Sequence, residues 1–516
     1  MPAPPAPSYD DVPYEGGIVT GTHPEHLAAL GRLFGVKAAP AEACTVLEIG
    51  CASAANLLPM AYGLPGSTFV GIDPSQRQID MGRGFVREYG VENVELHAAG
   101  VSDILDWDRK FDYIVCHGVF SWVAPEVRED ILEACRRLLA PSGIAYVSYN
   151  ALPGFHARAM AGEMMRFHGL SFPDPAERAQ QGRALLQFLV EATGKFNRSD
   201  RLMSAYHDAL SEESDFLAGS RDSYLLHEHF SEYNDAFYLY EFVDMAAEHG
   251  LNYLGDAAFH SMMVNDLPAD VAEKINAIAP SQIALEQYRD FVTNRMFRKS
   301  LLCDAGLALE RHISVDAIAS LSFRQRVARP SPGDQWRIVK TGGLAVEVND
   351  SLVRRVLDTL TDVAPLAVTF DELRARLVAE GPDDFDREKL AAVLLSLYAL
   401  DAVDFRTWTP PMSAVVSERP VAFLPARLAA ARTKSANVPL PLHGTVALDS
   451  FVAAVLPYVD GTRTVPQLVE DVARAIASGE FTLPDVDPND MPASHEVERL
   501  VHESLEELRQ TGLLQG

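Results

Sequence analysis

The sequence predicts an α/β fold: a largely parallel sheet with helices on both faces, then an α-rich, winged-helix-like C-terminal region. Three observations predict it. Between residues 45 and 150, short apolar runs of strand type alternate with amphipathic helical stretches, as successive strand–helix crossovers require. From about 155 to 235 the strand signal vanishes, which reads as a helical insertion. In the last third, three capped helices ending in a short strand occur twice.

Taken in order, residues 1–40 form an N-terminal arm or lid, with a Pro/Ala-rich start. Thr22-His23-Pro24-Glu25 opens a helix running to about Phe34: Thr22 or His23 caps it, Pro24 sits in its first turn and Glu25 complements its dipole. Residues 41–265 form the sheet domain. Its strands are expected at 45–49, 68–72, 93–97, 111–116 and 143–149, with helices at 56–62, 75–89 and 125–139. After the insertion (155–235), an amphipathic helix over 240–250 ends in Gly250, and Leu251 to Leu254 completes the sheet. Residues 266–330 are expected to be a helical linker, with helix continuing to about 312. The two repeats then span 331–410 and 411–516. Asp350 to Leu357 parallels Asp449 to Leu456, Thr369 to Leu373 parallels Thr464 to Leu468, and Lys389 to Phe405 parallels Arg499 to Leu514.

Composition narrows the partners. The chain has 516 residues and a formal net charge of −28. That field opposes nucleic acid and suits a basic target. No nucleic-acid partner is expected, and the third helices of the repeats carry few bases. The five cysteines, Cys44, Cys51, Cys116, Cys135 and Cys303, form no CxxC pair, so a reducing cytoplasm is expected. Residues 1–14 have no basic or apolar signal region, and the most apolar helix, Leu390 to Leu400, is about half a membrane span, so no membrane insertion is expected.

The chemistry gathers at the strand ends. The first strand runs through Glu48 into Gly50-Cys51-Ala52-Ser53-Ala54-Ala55-Asn56. This is a tight turn into a helix N-terminus, where a ligand can approach the backbone. Alanine stands at 52 and 54, and since it takes positive φ only at a cost, negative φ is expected there. The second strand ends in Asp73, placed to accept from ribose hydroxyls. Together these resemble the cofactor motifs of class I S-adenosyl-L-methionine (SAM)-dependent methyltransferases, and the fold expected is their Rossmann-like sheet. Glu48, Gly50, Cys51, Ala52, Asn56 and Asp73 would then hold the cofactor. After the third strand, Gly100 and Val101 would face adenine, or Asp103 if the turn is one residue longer. His117, in the loop His117 to Val123, would fix the methionyl end or pack beside it, and Trp122 would wall the acceptor pocket or the core. Tyr149, Asn150 and His156 would share that edge. Tyr14 and His23, on the lid, and Tyr149 are the candidates for catalysis. His227 and His229 form an HxH pair without further ligands at metal spacing, so no metal is expected.

A wider set of motifs names the family. Tyr9-Asp10-x-x-Pro13-Tyr14, Thr22-His23-Pro24, Asn56 to Met60, His117-Gly118-Val119-x-Ser121-Trp122-Val123 and Ser148-Tyr149-Asn150 resemble bacterial methyltransferases with a "methyltransferase regulatory domain". His227-Glu228, Glu241-Phe242, Gln287-Tyr288 and Phe297-Arg298 look like the regulatory portion. The C-terminal third is similar to the extra domain of the rickettsial protein lysine methyltransferases, which act on outer-membrane proteins and form dimers. The resemblance implies methylation of lysine side chains on a protein, and a homodimer. Methylation of a small molecule, or a non-catalytic SAM-binding scaffold, are the alternatives.

Overall fold

The computed structural model describes residues 16–516 apart from 197–198, 265–266, 328, 332–334, 340–344, 382–384, 434–436 and 480–493. Helix α1 (Pro24–Leu33) precedes the sheet strands β1 (Thr45–Ile49), β2 (Thr68–Asp73), β3 (Val94–Ala98), β4 (Phe111–Cys116) and β5 (Leu139–Ala151). Between them lie α2 (Leu57–Gly63), α3 (Gln76–Tyr89) and α4 (Pro125–Leu138). The insertion follows as α5 (Phe155–Gly169), α6 (Pro175–Thr193), α7 (Arg201–Ala218) and α8 (Asp222–His229). The chain returns through β6 (Ala236–Phe237), α9 (Leu239–Glu248) and β7 (Leu251–Asp256), then α10 (Ala269–Ile278), α11 (Gln282–Thr293) and β8 (Phe297–Asp304).

The sheet order is β3-β2-β1-β4-β5-β8-β7, with β6 beside β5. The first five strands pair in parallel, and β8 runs antiparallel between β5 and β7. The expected helix over 266–312 is therefore wrong from 297 to 304, and the boundary at 265 cuts off a central strand. The reason is one residue. Arg298 is the second residue of β8 yet is fully buried, so a charge interrupts the apolar pattern that marks a strand. The carboxylates of Asp290 at 2.7 Å, Glu286 at 3.0 Å and Asp256 at 3.5 Å neutralise it, and the Tyr253 hydroxyl oxygen accepts a further hydrogen bond at 3.2 Å.

Two runs of elements make up the C-terminal third. After α12 (Val315–Ala319) and β9 (Ser322–Gln325), the first copy has a hairpin, β10 (Arg337–Val339) and β11 (Ala345–Glu347). It continues with α13 (Ser351–Asp362), β12 (Val368–Thr369), α14 (Phe370–Glu380), α15 (Arg387–Ala399) and β13 (Val403–Arg406). The second copy has β14 (Val421–Ala422), α16 (Leu424–Thr433) and a hairpin of β15 (Asn437–Pro439) and β16 (Thr445–Ala447). Then come α17 (Ser450–Val455), α18 (Val465–Ala477), α19 (Ser494–Gln510) and β17 (Leu514–Gln515). The helix starts match: Asp350 and Asp449 cap the first helix, and Thr369–Glu372 and Thr464–Gln467 form capping boxes on the second.

One core joins the two halves. Leu30, Val46, Tyr113, Tyr146 and Leu301 of the sheet domain share a continuous buried cluster with Phe323 of β9 and with Leu352, Leu394 and Phe405 of the first repeat. The opposite sheet face, the second repeat and the insertion have cores of their own.

Candidate functional site

The strand ends β1, β2, β4 and β5 open onto a cavity of about 440 Å³, within the range of small-molecule and cofactor sites. Its floor is the β1–α2 turn. Gly50 has φ +74°, and a Cβ there would come 2.5 Å from Val119 Cγ2, so only glycine fits. The expectation of negative φ at the alanines fails: Ala52 has φ +47° and Ala54 φ +62°. Hydrogen bonds impose this. The Ala52 N–H donates to Asp73 Oδ2 at 2.9 Å and the Ala54 N–H to the Cys51 carbonyl at 2.8 Å. They offset a left-handed cost of about 1–2 kcal/mol per residue.

Glu48, Gly50, Cys51, Ala52, Asn56, Asp73 and His117 all line this cavity. Asp73 lines the cavity, and its carboxylate accepts from the Ala52 N–H and the Ser75 N–H at 2.9 Å each. Glu48 Oε1 accepts from Asn56 Nδ2 at 2.8 Å, while Oε2 is buried with no partner among the described residues. Burial pushes the Glu48 carboxyl up to about 8, against the Asn56 hydrogen bond. His117 Nδ1 lies 2.9 Å from the Tyr146 hydroxyl, and burial holds its imidazole down to about 4, so it is neutral.

Other expected residues lie elsewhere. Tyr149 does not reach the cavity. Side chains alternate along β5, so Tyr146, Ser148 and Asn150 face one way and Val147 and Tyr149 the other. Tyr149 stacks on Phe242 at 4.2 Å, and its hydroxyl lies 3.0 Å from Ser300 Oγ. Asn150 lines the cavity, and Ser148 Oγ accepts from the Gly118 N–H at 2.9 Å. His23 caps α1, accepting from the Glu25 N–H at 3.2 Å, and is buried against Trp408 and His443. Gly100 and Val101 stay off the cavity wall: the Gly100 N–H is tied to Asp103 Oδ2 at 2.8 Å, and Val101 packs in the core. Tyr14 lies outside the described residues.

The sequence reading missed the far wall. Phe155 and Arg158 of α5, Tyr224, His227 and Glu228 of α8, and Met296 and Phe297 at β8 complete it, with Gly16, Gly17 and Val19 of the N-terminal segment. Only the His227-Glu228 and Phe297-Arg298 motifs hinted at them. Arg158 is held by Glu213 Oε2 at 3.1 Å. No described residue donates a hydrogen bond to the Glu228 carboxylate, and burial pushes it up to about 7. Among the described residues no group of three or more His, Cys, Asp and Glu is placed to hold a metal ion.

The set of acceptors suits SAM. A buried carboxylate oxygen lacking a partner matches an ammonium group, and an acid at the second strand end matches vicinal hydroxyls. Comparison with known proteins agrees. "Methyltransferase domain" matches residues 47–145, "Predicted methyltransferase regulatory domain" 221–304, and "PKMT, C-terminal winged helix domain" 418–513. The uncharacterized protein RP789 of Rickettsia prowazekii is 33% identical over 488 residues, covering 92% of this chain and 87% of its own. A shorter protein of that organism, RP028, is 39% identical over 239 residues, 46% of this chain and 93% of its own. The solved structure of PKMT2 from Rickettsia typhi in complex with AdoHcy is 30% identical, with a TM-score of 0.83, covering 98% of this chain and 100% of that one.

Proposed function

This chain belongs to the PKMT family of SAM-dependent methyltransferases, and we propose that its methyl acceptor is the side-chain amine of lysine in a protein. The observation that carries the reading is Glu228. It puts a buried acid, with no hydrogen-bond donor to its carboxylate among the described residues, on the wall of the same cavity that Tyr224, Phe155 and Trp122 line. Bound SAM supplies an electrophilic methyl group on a sulfonium. The protein's share is alignment and water exclusion. Glu48 holds a cationic end, Asp73 accepts from hydroxyls, and Glu228 receives the lysine ammonium. The ammonium must lose its proton before its nitrogen can attack, and Glu228, whose carboxyl burial pushes up to about 7, is the group that takes it, while desolvation of the amine lowers the cost of that transfer.

Two further features support a protein acceptor. The net charge of −28 favours basic segments. The insertion also leaves Phe167 (79% exposed), Phe188 (62%) and Leu202 (79%) open on the packed helices α5, α6 and α7, a surface that suits a second protein. A homodimer belongs to the same proposal, and sedimentation equilibrium tests it. The five buried free cysteines support placing the protein in the bacterial cytoplasm. The deciding experiment supplies methyl-labelled SAM to a size-fractionated bacterial lysate and hydrolyses the labelled fraction. Label recovered as methyllysine supports the reading; label confined to small molecules overturns it.

A further inference from the structure

A residue of the second C-terminal repeat reaches the cofactor cavity through one intermediary. His443 sits in the β15–β16 turn, where its N–H donates to the Leu440 carbonyl at 3.0 Å and the Leu440 N–H to the Gly444 carbonyl at 2.8 Å. It is only 2% exposed and has φ +57°, a conformation non-glycine residues adopt rarely. Such geometry persists where surrounding contacts demand it. Its Nε2 lies 2.8 Å from Asn56 Oδ1 and 3.3 Å from Thr22 Oγ1.

The direction of this hydrogen bond follows from its neighbours. The Val19 backbone N–H donates to Asn56 Oδ1 at 2.9 Å, so that atom is the oxygen. His443 Nε2 must therefore carry the proton. Burial lowers this imidazole to about 3, so it holds one proton only, and the buried Nδ1 with no partner is the bare nitrogen. With its oxygen engaged by His443 and Val19, Asn56 turns its amide to Glu48 Oε1 at 2.8 Å and Thr22 Oγ1 at 3.1 Å. Asn56 stands at the start of α2 yet makes no capping bond with its side chain. Its hydrogen-bonding capacity goes to the cavity wall instead.

We propose that His443 is a positioning residue for cofactor binding, orienting Asn56 so that Glu48 and the Val19 segment hold their places on the cavity wall. The C-terminal domain thus supplies part of the cofactor site's support. The proposal depends on the cofactor cavity and not on which acceptor is methylated, so its failure leaves the lysine reading intact.

The domain docks through other contacts as well. Arg432 Nε donates to Glu88 Oε1 at 3.0 Å, its guanidinium lies 4.5 Å over the Phe85 ring, and Tyr62 meets Phe423 edge-on at 5.4 Å. Loss of the His443 ring therefore leaves docking in place. AdoHcy binding to the full chain is measured by calorimetry. His443→Ala weakens it about tenfold, from loss of a buried hydrogen bond. His443→Gln, which restores an N–H, recovers most of that affinity. Asn56→Ala weakens binding too, and the double variant is no weaker than Asn56→Ala alone, because the two act in series. Arg432→Ala, which loosens docking only, binds as the unaltered chain does. If His443→Ala fails to fold, His443→Met keeps the bulk without the donor and takes its place. Unchanged affinity in the donor-free variant, additive losses with Asn56→Ala, or an equal loss in Arg432→Ala overturns the proposal.

Discussion

At the scale of single residues, the β1–α2 turn shows how a rule about propensity yields to hydrogen bonding. Alanine's reluctance to take positive φ is real, but Asp73 and the Cys51 carbonyl hold Ala52 and Ala54 there. Ala52→Gly is therefore expected to be neutral or stabilising by up to about 1 kcal/mol, read from urea unfolding. Asp73→Ala has two costs, since the same residue supports the turn and lines the cavity. AdoHcy affinity should fall about tenfold or more, as loss of a charged hydrogen-bond partner of roughly 1.5–3 kcal/mol implies. Calorimetry with unchanged affinity would contradict that role. Glu48 makes a pH prediction. Its carboxyl is pushed up to about 8, so below that pH it is protonated in the free protein. A ligand that brings an ammonium group favours the ionised form and must expel that proton. Affinity for AdoHcy is thus expected to rise between pH 6.5 and 8, by at most about tenfold per unit. Glu48→Gln should flatten the dependence. For the free protein the sign is opposite: a raised carboxyl loses stability as pH climbs from the unfolded value towards 8.

At the scale of elements, β5 and β8 carry the lesson. Tyr149 and Asn150 are adjacent in sequence, yet the pleat sends one to the core and the other to the cavity. Periodicity was available: Tyr146, Ser148 and Asn150 form one alternating set, and the apolar Val147 shares Tyr149's face. For β8 no such signal existed, because Arg298 is buried by virtue of carboxylates from α11 and from the end of β7. Removing that charge leaves Glu286 and Asp290 buried without it. Arg298→Met should cost about 3–5 kcal/mol in thermal or urea unfolding, as for other buried pairs broken on one side. A loss below 1 kcal/mol would mean that the two carboxylates take up protons instead.

At the scale of the whole molecule, the sheet domain and first repeat share a core and are clamped at α1. Arg406 binds Glu25, and the Thr407 N–H donates to Glu25 Oε1 at 2.8 Å. The second repeat has a separate core. A chain cut after residue 410 should stay folded by far-UV circular dichroism but bind AdoHcy weakly, since it lacks His443. A chain cut after residue 304 uncovers Leu30, Tyr146 and Leu301 and should aggregate during purification.

The sequence by itself determined the alternating sheet, the cofactor turn, Asp73, the helical insertion and the repeated caps. These are local: each needs only a period, a cap or a spacing within one strand–helix unit. Tertiary structure alone decided the rest. It placed Glu228 and Phe297 on the cavity wall, put Arg298 among acids, and brought His443 to Asn56 across 387 residues of chain. Hydrogen bonds and burial between distant segments leave no periodic trace, so a linear pattern cannot show which polar residue will find a partner.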